Sequence, residues 1–124
     1  MEKKLREFYE ILKKDREISP WSKENSFLDR TEQLRSEVDE IFEAIKKEDW
    51  DNLKEEIGDS LWDLMSLCII AEEKGLFSFE DTISSAHDKL KRRKPWIYTG
   101  EKVDIQEEKI RWQKAKDEEK IKRL

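Results

Sequence analysis

Residues 34–74, LRSEVDEIFEAIKKEDWDNLKEEIGDSLWDLMSLCIIAEEK, decide the fold. Leu34, Val38, Ile41, Phe42 and Ile45 recur at steps of three and four, the period of one helix face. After Lys47-Glu-Asp49 the rhythm resumes in Leu53, Ile57, Leu61, Leu64, Met65 and Cys68, and these are expected to point inward. Asp49 offers an N-cap to the second helix, and Gly75 offers a C-terminal stop. Two helices joined by so short a turn pack antiparallel. On the N-terminal side, Leu5, Phe8, Tyr9 and Leu12 mark a helix over about 3–16, which Ser19-Pro20-Trp21 ends before a polar connection. On the C-terminal side, Ser78-Phe-Glu-Asp81 reads as a capping box that opens a helix ending before Pro95. Residues 95–103 read as a loop around Gly100, and Asp104-Ile-Gln-Glu107 caps a last, highly charged helix. With glycine at 3, proline at 2 and no persistent alternation, no strand is expected. The fold class is all-α, a four-to-five-helix bundle with helices over about 3–16, 27–47, 52–74, 79–93 and 105–122.

At 124 residues the chain is read as one domain with a modest core. Charged residues make up 46% and hydrophobic residues 35%, so a lone globule would have a lean core. That balance favours an oligomer whose partner chains complete the burial, a homodimer or a dimer of dimers. The net charge of −5, with no basic face before about residue 89, argues against nucleic-acid and anionic-membrane binding. The only cysteine, Cys68, sits in an apolar helical run and reads as a small core residue in a reducing compartment. With a charged N-terminus no signal peptide is expected, and no apolar run approaches the ~20 residues of a membrane span. A cytoplasmic protein is expected.

The central helices each carry an acidic step, Glu37-Val-Asp-Glu40 and Glu56-Ile-Gly-Asp59. A step of three puts both carboxylates on one helix edge. At ~100° per residue, Glu37 and Glu40 border the apolar stripe, whereas Asp39 and Glu43 project away. Glu56 and Asp59 border the stripe of the next helix, with Asp63 on the same edge. Antiparallel packing can therefore bring the two acidic edges together, an oxygen-rich arrangement suited to Mg²⁺ or Mn²⁺. In a chain with 31 acidic residues such spacings also arise by chance, so solvated helix surface is the alternative.

The order of segments adds specificity. Ser19-Pro20-Trp21-Ser22, Glu37-Val-Asp-Glu40-Ile-Phe-Glu-Ala-Ile45, Glu56-Ile-Gly-Asp59, Lys89-Leu-Lys-Arg-Arg-Lys-Pro95 and Trp112-Gln-Lys-Ala-Lys116 follow one another along the chain. In that order they resemble the MazG-type nucleoside triphosphate pyrophosphohydrolases of the all-α NTP pyrophosphatase superfamily, over roughly residues 19–118. The resemblance implies hydrolysis of a nucleoside triphosphate between its α- and β-phosphates, giving monophosphate and pyrophosphate, with a house-cleaning role in the nucleotide pool. It implies Mg²⁺, with Mn²⁺ as a substitute, on Glu37, Glu40, Glu56 and Asp59, and a catalytic Glu37 or Glu40 that orients or deprotonates water. Asp63 is an additional ligand candidate. Lys89 and Arg93, four apart, with Arg92 beside them, become phosphate partners, although a basic helix end also complements the macrodipole. Trp112 becomes a base-stacking candidate and Trp21 a second one, for which simple packing is the expectation. His87 is read as a packing residue at a helix edge with a candidate substrate contact.

The chain departs from the family pattern at Ser19, Ser22, Phe27, Ser36 and Lys94, where that pattern has Cys, Asp, His, Glu and His. These changes spare the four carboxylates and leave base preference open. Two alternatives stand beside the main reading. One is a related pyrophosphohydrolase acting on dUTP, dCTP or phosphoribosyl-ATP; the other is a non-catalytic helical interaction protein.

Overall fold

The computed structural model describes residues 1–124 and contains only helices. They are α1 (Glu2–Ile18), α2 (Pro20–Glu24), α3 (Phe27–Lys46), α4 (Trp50–Glu73), α5 (Phe79–Arg93), α6 (Trp96–Thr99) and α7 (Ile105–Lys122). The all-α expectation holds, and the five long helices fall within two residues of their expected ends. The two short helices, α2 and α6, occupy stretches read from sequence as connections. No helix is long and apolar enough to cross a membrane. The chain divides into two compact units, Met1–Phe79 and Glu80–Leu124.

In the first unit, local chemistry sets each helix boundary. Ser19 is extended, as a residue before proline prefers, and this ends α1. Its hydroxyl then accepts from the Ser22 amide at 3.3 Å, with Pro20 at the first helical position, so the same residue starts α2. Ser26 and Asp29 form a reciprocal capping box on α3, with bonds of 3.2 and 2.9 Å. Asp49 caps α4 as expected, its Oδ1 accepting from the Asn52 amide at 3.2 Å.

The core of this unit lies between α1 and α4. Leu12, Met65 and Ile69 are buried together, with Leu5, Phe8, Tyr9 and Phe79 packed around them. Tyr9 stacks on Phe79 at 4.8 Å and donates to Glu72 Oε1 at 2.6 Å. Burial, then that bond and the carboxylate charge, hold its phenol well above the ordinary range. Two polar residues of α1 pin α2 in place. Arg16 donates to the carbonyls of Ser22 and Asn25 while bridging Glu73, and Asp15 accepts from the Ser22 hydroxyl.

The hairpin of α3 and α4 corrects the sequence expectation about which face is inward. Met65 and Cys68 are buried, but Val38, Phe42, Ile45, Ile57, Leu61 and Leu64 are exposed, Phe42 by 61%. Leu34, Ile41 and Leu53 are half-buried. The helices instead meet where Arg30 and Glu37, seven residues apart on α3, face Asp63 and Glu56 of α4, with Ala44 and Ser60 also buried. Seven residues are close to two helical turns, so the seam is continuous, but it is polar and small. The apolar stripe lies beside the seam, and α1 covers α4 only on its C-terminal half, around Trp62, Met65, Ile69 and Glu72.

In the second unit, Gly100 closes α6 in the left-handed region (φ 77°), its amide donating to the Trp96 carbonyl at 2.9 Å. Asp104 caps α7 through the Glu107 amide at 2.8 Å, as expected. Charged pairs hold this unit: Arg111 to Glu101 and Glu107, and Lys94 to Glu108.

Candidate functional site

The seam between α3 and α4 concentrates acid. Antiparallel register sets Glu37 of α3 against Glu56 and Asp59 of α4, and one carboxylate oxygen from each lies within 4.8 Å of the others. Glu40, one turn along α3 and exposed, is close enough to Glu56 and Glu37 for the three carboxyl groups to influence one another. Three of the four residues singled out as ligands, Glu37, Glu56 and Asp59, are thus brought into one cluster, and Glu40 lies at its edge.

Its electrostatics are those of carboxylates sharing protons. The hydrogen bond to Glu37 raises Glu56 above the ordinary carboxylate range, and burial and the neighbouring charges add to this. Glu40 is raised by Glu56 beside it. For Glu37 the bond with Glu56 acts downward, but burial and the Glu40 and Asp59 charges together outweigh it, so its proton is also held more tightly. Glu56 is only 9% exposed, and one oxygen of Glu56 and one of Glu37 are buried without a hydrogen-bond partner. Orphaned buried oxygens are costly. A divalent cation satisfies such oxygens and cancels the mutual repulsion, so these residues fit Mg²⁺ or Mn²⁺.

Asp63 is engaged differently. It is buried against Arg30, whose guanidinium lies 3.5 Å away at 4% exposure. Burial raises the Asp63 carboxyl despite the opposing pull of Arg30. Arg30 also donates to Gln33 Oε1 at 3.1 Å and sits 5.0 Å from the centre of the Trp21 ring, a cation–π contact.

Trp21 is not a core residue, contrary to the packing expectation: it is 56% exposed. The α2 helix is only five residues long and lies on the surface, so its indole is left at the rim of a cavity of about 540 Å³. Asn25, Gln33 and Ser36 form the polar wall of that cavity, with the carboxylates of Glu24, Asp29 and Glu32 around it. Gln33 and Ser36 stand one turn and one residue before Glu37 on α3.

The second unit gathers the basic residues singled out from sequence. Arg93 lies 5.1 Å from the Trp112 ring centre, and Arg92 and Arg93 both pair with Glu119 of α7 at 2.8 Å. The bond from Arg93, and then that from Arg92, lower the Glu119 carboxyl to about 2. Lys89 is exposed, and His87 meets Tyr98 edge-on at 5.6 Å, in keeping with a packing role.

Arg30, Asn25 and Gln33 were not singled out by motif reading. Arg30 carried one usable signal: a cation seven residues before Glu37 on the seam calls for a buried acid opposite, and Asp63 supplies it.

Residues 26–98 match the MazG nucleotide pyrophosphohydrolase domain. A nucleoside triphosphate pyrophosphohydrolase of Escherichia coli K12 is 34% identical over 102 residues, covering 82% of this chain and 39% of that protein. One from Mycolicibacterium smegmatis is 30% identical over 112 residues, covering 89% and 35%. The crystal structure of a MazG-related protein from Thermotoga maritima aligns with a TM-score of 0.84 at 32% identity, covering 90% of this chain and 98% of that one. The chain therefore spans about two fifths of the length of these curated relatives.

Proposed function

The chain belongs to the MazG nucleotide pyrophosphohydrolase domain family, and from that premise we propose that it hydrolyses nucleoside triphosphates between the α- and β-phosphates. The observation that carries this reading is the convergence of Glu37, Glu56 and Asp59 within 4.8 Å, with two buried oxygens unpartnered. A triphosphate is itself strongly anionic, so an acidic pocket of this kind accepts one only through metal ions. Glu37, Glu40, Glu56 and Asp59 would hold Mg²⁺ or Mn²⁺, which supplies charge neutralisation at phosphate oxygens and a more acidic water. Glu40 is the exposed member of the group with raised proton affinity, which suits it, or Glu37 behind it, to accept a proton from the attacking water.

Lys89, Arg92 and Arg93 are the proposed phosphate partners, with Trp112 and Trp21 as the two candidates for base stacking. For Arg92 and Arg93 that role requires exchange of the Glu119 carboxylate for phosphate oxygens, a swap of one charge-assisted pairing for another. The matched residues run across the division at Phe79, which supports one MazG-like domain over both units. The proposed partner is thus a nucleotide, not nucleic acid or a membrane, and the proposed compartment is the cytoplasm.

The reaction is tested by incubating the purified protein with a panel of nucleoside triphosphates and Mg²⁺ and resolving the products by ion exchange. Monophosphate with pyrophosphate is the expected outcome. Diphosphate with orthophosphate, or no turnover of any triphosphate, rejects the proposal.

A homo-oligomer forms the second part of the proposal. Val38, Phe42 and Ile45 on α3 and Ile57, Leu61 and Leu64 on α4 are all exposed, an excess of apolar surface of the kind that marks protein association. A second copy covering it would complete the lean core. Phe42→Asp combined with Leu61→Asp is expected to convert a dimer or tetramer to monomer in sedimentation velocity. An unchanged sedimentation coefficient would place the interface elsewhere.

A further inference from the structure

The cavity beside the acidic cluster has a defined hydrogen-bonding character, set by a residue outside its lining. Arg30 approaches Gln33 Oε1 at 3.1 Å. A guanidinium has only donors, so the amide oxygen of Gln33 must face Arg30 and its Nε2 remains as a donor. Arg30 has little freedom to turn away, because it is buried, pairs with Asp63 at 3.5 Å and lies beneath the Trp21 ring at 5.0 Å. Asn25 is oriented in the opposite sense. Its Nδ2 donates to the Trp21 carbonyl at 2.6 Å, which leaves Oδ1 to accept. Trp21, Asn25, Gln33 and Ser36 line the cavity, and the carboxylates around it add acceptors when ionised. The Gln33 Nε2 donor is thus held in place among acceptors, beside an indole whose N–H is the other fixed side-chain donor of the lining and a Ser36 hydroxyl that can donate or accept.

Resting on the nucleotide reading above, we propose that this cavity receives the nucleobase and that Arg30, by holding Gln33 and Trp21, selects bases with an amino group beside an unprotonated ring nitrogen. Cytosine and adenine have that edge. Their amino group donates to the acceptors of the cavity, while the ring lone pair accepts from Gln33 Nε2. Uracil and hypoxanthine reverse both features: a ring N–H meets the Gln33 donor, and a carbonyl oxygen meets the acceptors. Unpaired groups of this kind discriminate strongly between substrates, because each mismatch leaves a desolvated group unsatisfied. The indole supplies stacking to either class and so adds affinity without choice. Arg30 is a positioning residue in this scheme; it acts through Gln33 and Trp21.

The test compares CTP and ATP with UTP and ITP at one Mg²⁺ concentration. The expected kcat/KM is at least ~10-fold higher for the amino bases, mainly through KM. Gln33→Glu replaces the donor with an acceptor and is expected to erase or invert that ratio, with the helical circular dichroism unchanged. Arg30→Met releases Gln33 and is expected to erase the ratio, chiefly by raising KM for CTP and ATP toward the values for UTP and ITP. Binding of the α,β-imido analogues of CTP and UTP by calorimetry gives a readout that needs no turnover. Tighter binding of the CTP analogue in an inactive protein would support the cavity assignment while rejecting the hydrolase. Equal kcat/KM for the four triphosphates, a preference for UTP or ITP, or a ratio unmoved by Gln33→Glu would overturn the proposal.

Discussion

Glu56→Gln is expected to abolish pyrophosphate release while raising the melting temperature of the metal-free protein. Both effects come from the same geometry. Glu56 is buried on the α3–α4 seam, shares a hydrogen bond with Glu37, and has one oxygen with no partner. Glutamine has nearly the same shape, so the helices need not move. Its amide donates a hydrogen to the Glu37 carboxylate where two acids previously had to share a proton or repel. The metal-free fold therefore gains by the change, a stability–function trade common at active sites. The cation loses a charged ligand, and the loss of turnover should exceed ~100-fold, beyond the range seen when groups that only support the ligands are removed. Asp39→Asn is the matched control. Asp39 is exposed on the same helix away from the seam, so it should shift stability within about ±0.5 kcal/mol and leave kcat unchanged. Differential scanning calorimetry in EDTA and a pyrophosphate-release assay check the two halves separately. Retained activity would remove Glu56 from the ligand set, and a fall in melting temperature would make it a structural residue instead.

Helix positions were legible in the sequence because they rest on local rules. Asp49 and Asp104 each accept from the amide three residues on, as their places before helical runs implied. Proximity of the acidic pairs was legible too, since antiparallel helices with matched acidic edges can meet in few ways. The direction of the apolar stripe was not. Hydrophobic period shows that a face seeks burial, but it does not say whether a neighbouring helix or another chain provides it. Phe42 and Leu61 obey the period and yet are exposed in this chain, while Arg30, Glu56 and Asp63 break the usual preference and are buried. The polar seam escaped notice for a related reason: a buried charge becomes intelligible only with its partner, and Arg30 and Asp63 are 33 residues apart. The cavity at Trp21 depends on the pinning of α2 by Arg16 and Asp15, contacts that no motif encodes.

Metal addition is expected to stabilise the protein much more at about pH 8 than at about pH 5, and the pKa directions give the sign. Glu37, Glu40 and Glu56 hold protons above the ordinary glutamate value of 4.5. As pH rises through their folded-state values, the native chain binds more protons than the unfolded chain, so stability falls with rising pH. The metal-free melting temperature should thus decline across this interval. Groups shifted the other way do not mask the trend. Glu119 is lowered to about 2 by Arg93 and Arg92, while Asp29 and Glu101 are lowered by their Ser26 and Arg111 hydrogen bonds. Their stabilisation is complete above the unfolded value and is lost only at more acid pH, so it is constant over the interval measured. Mg²⁺ competes with protons for the same oxygens, and at a hundred times its dissociation constant it should add about 2.7 kcal/mol. Protonation at the lower pH removes part of that gain. The triple change of Glu37, Glu40 and Glu56 to glutamine should nearly abolish the metal response in thermal melts and flatten the pH slope to what the raised Asp63 carboxyl still contributes. A Mg²⁺ shift of equal size at both pH values, or one that survives the triple change, would locate the cation away from this seam.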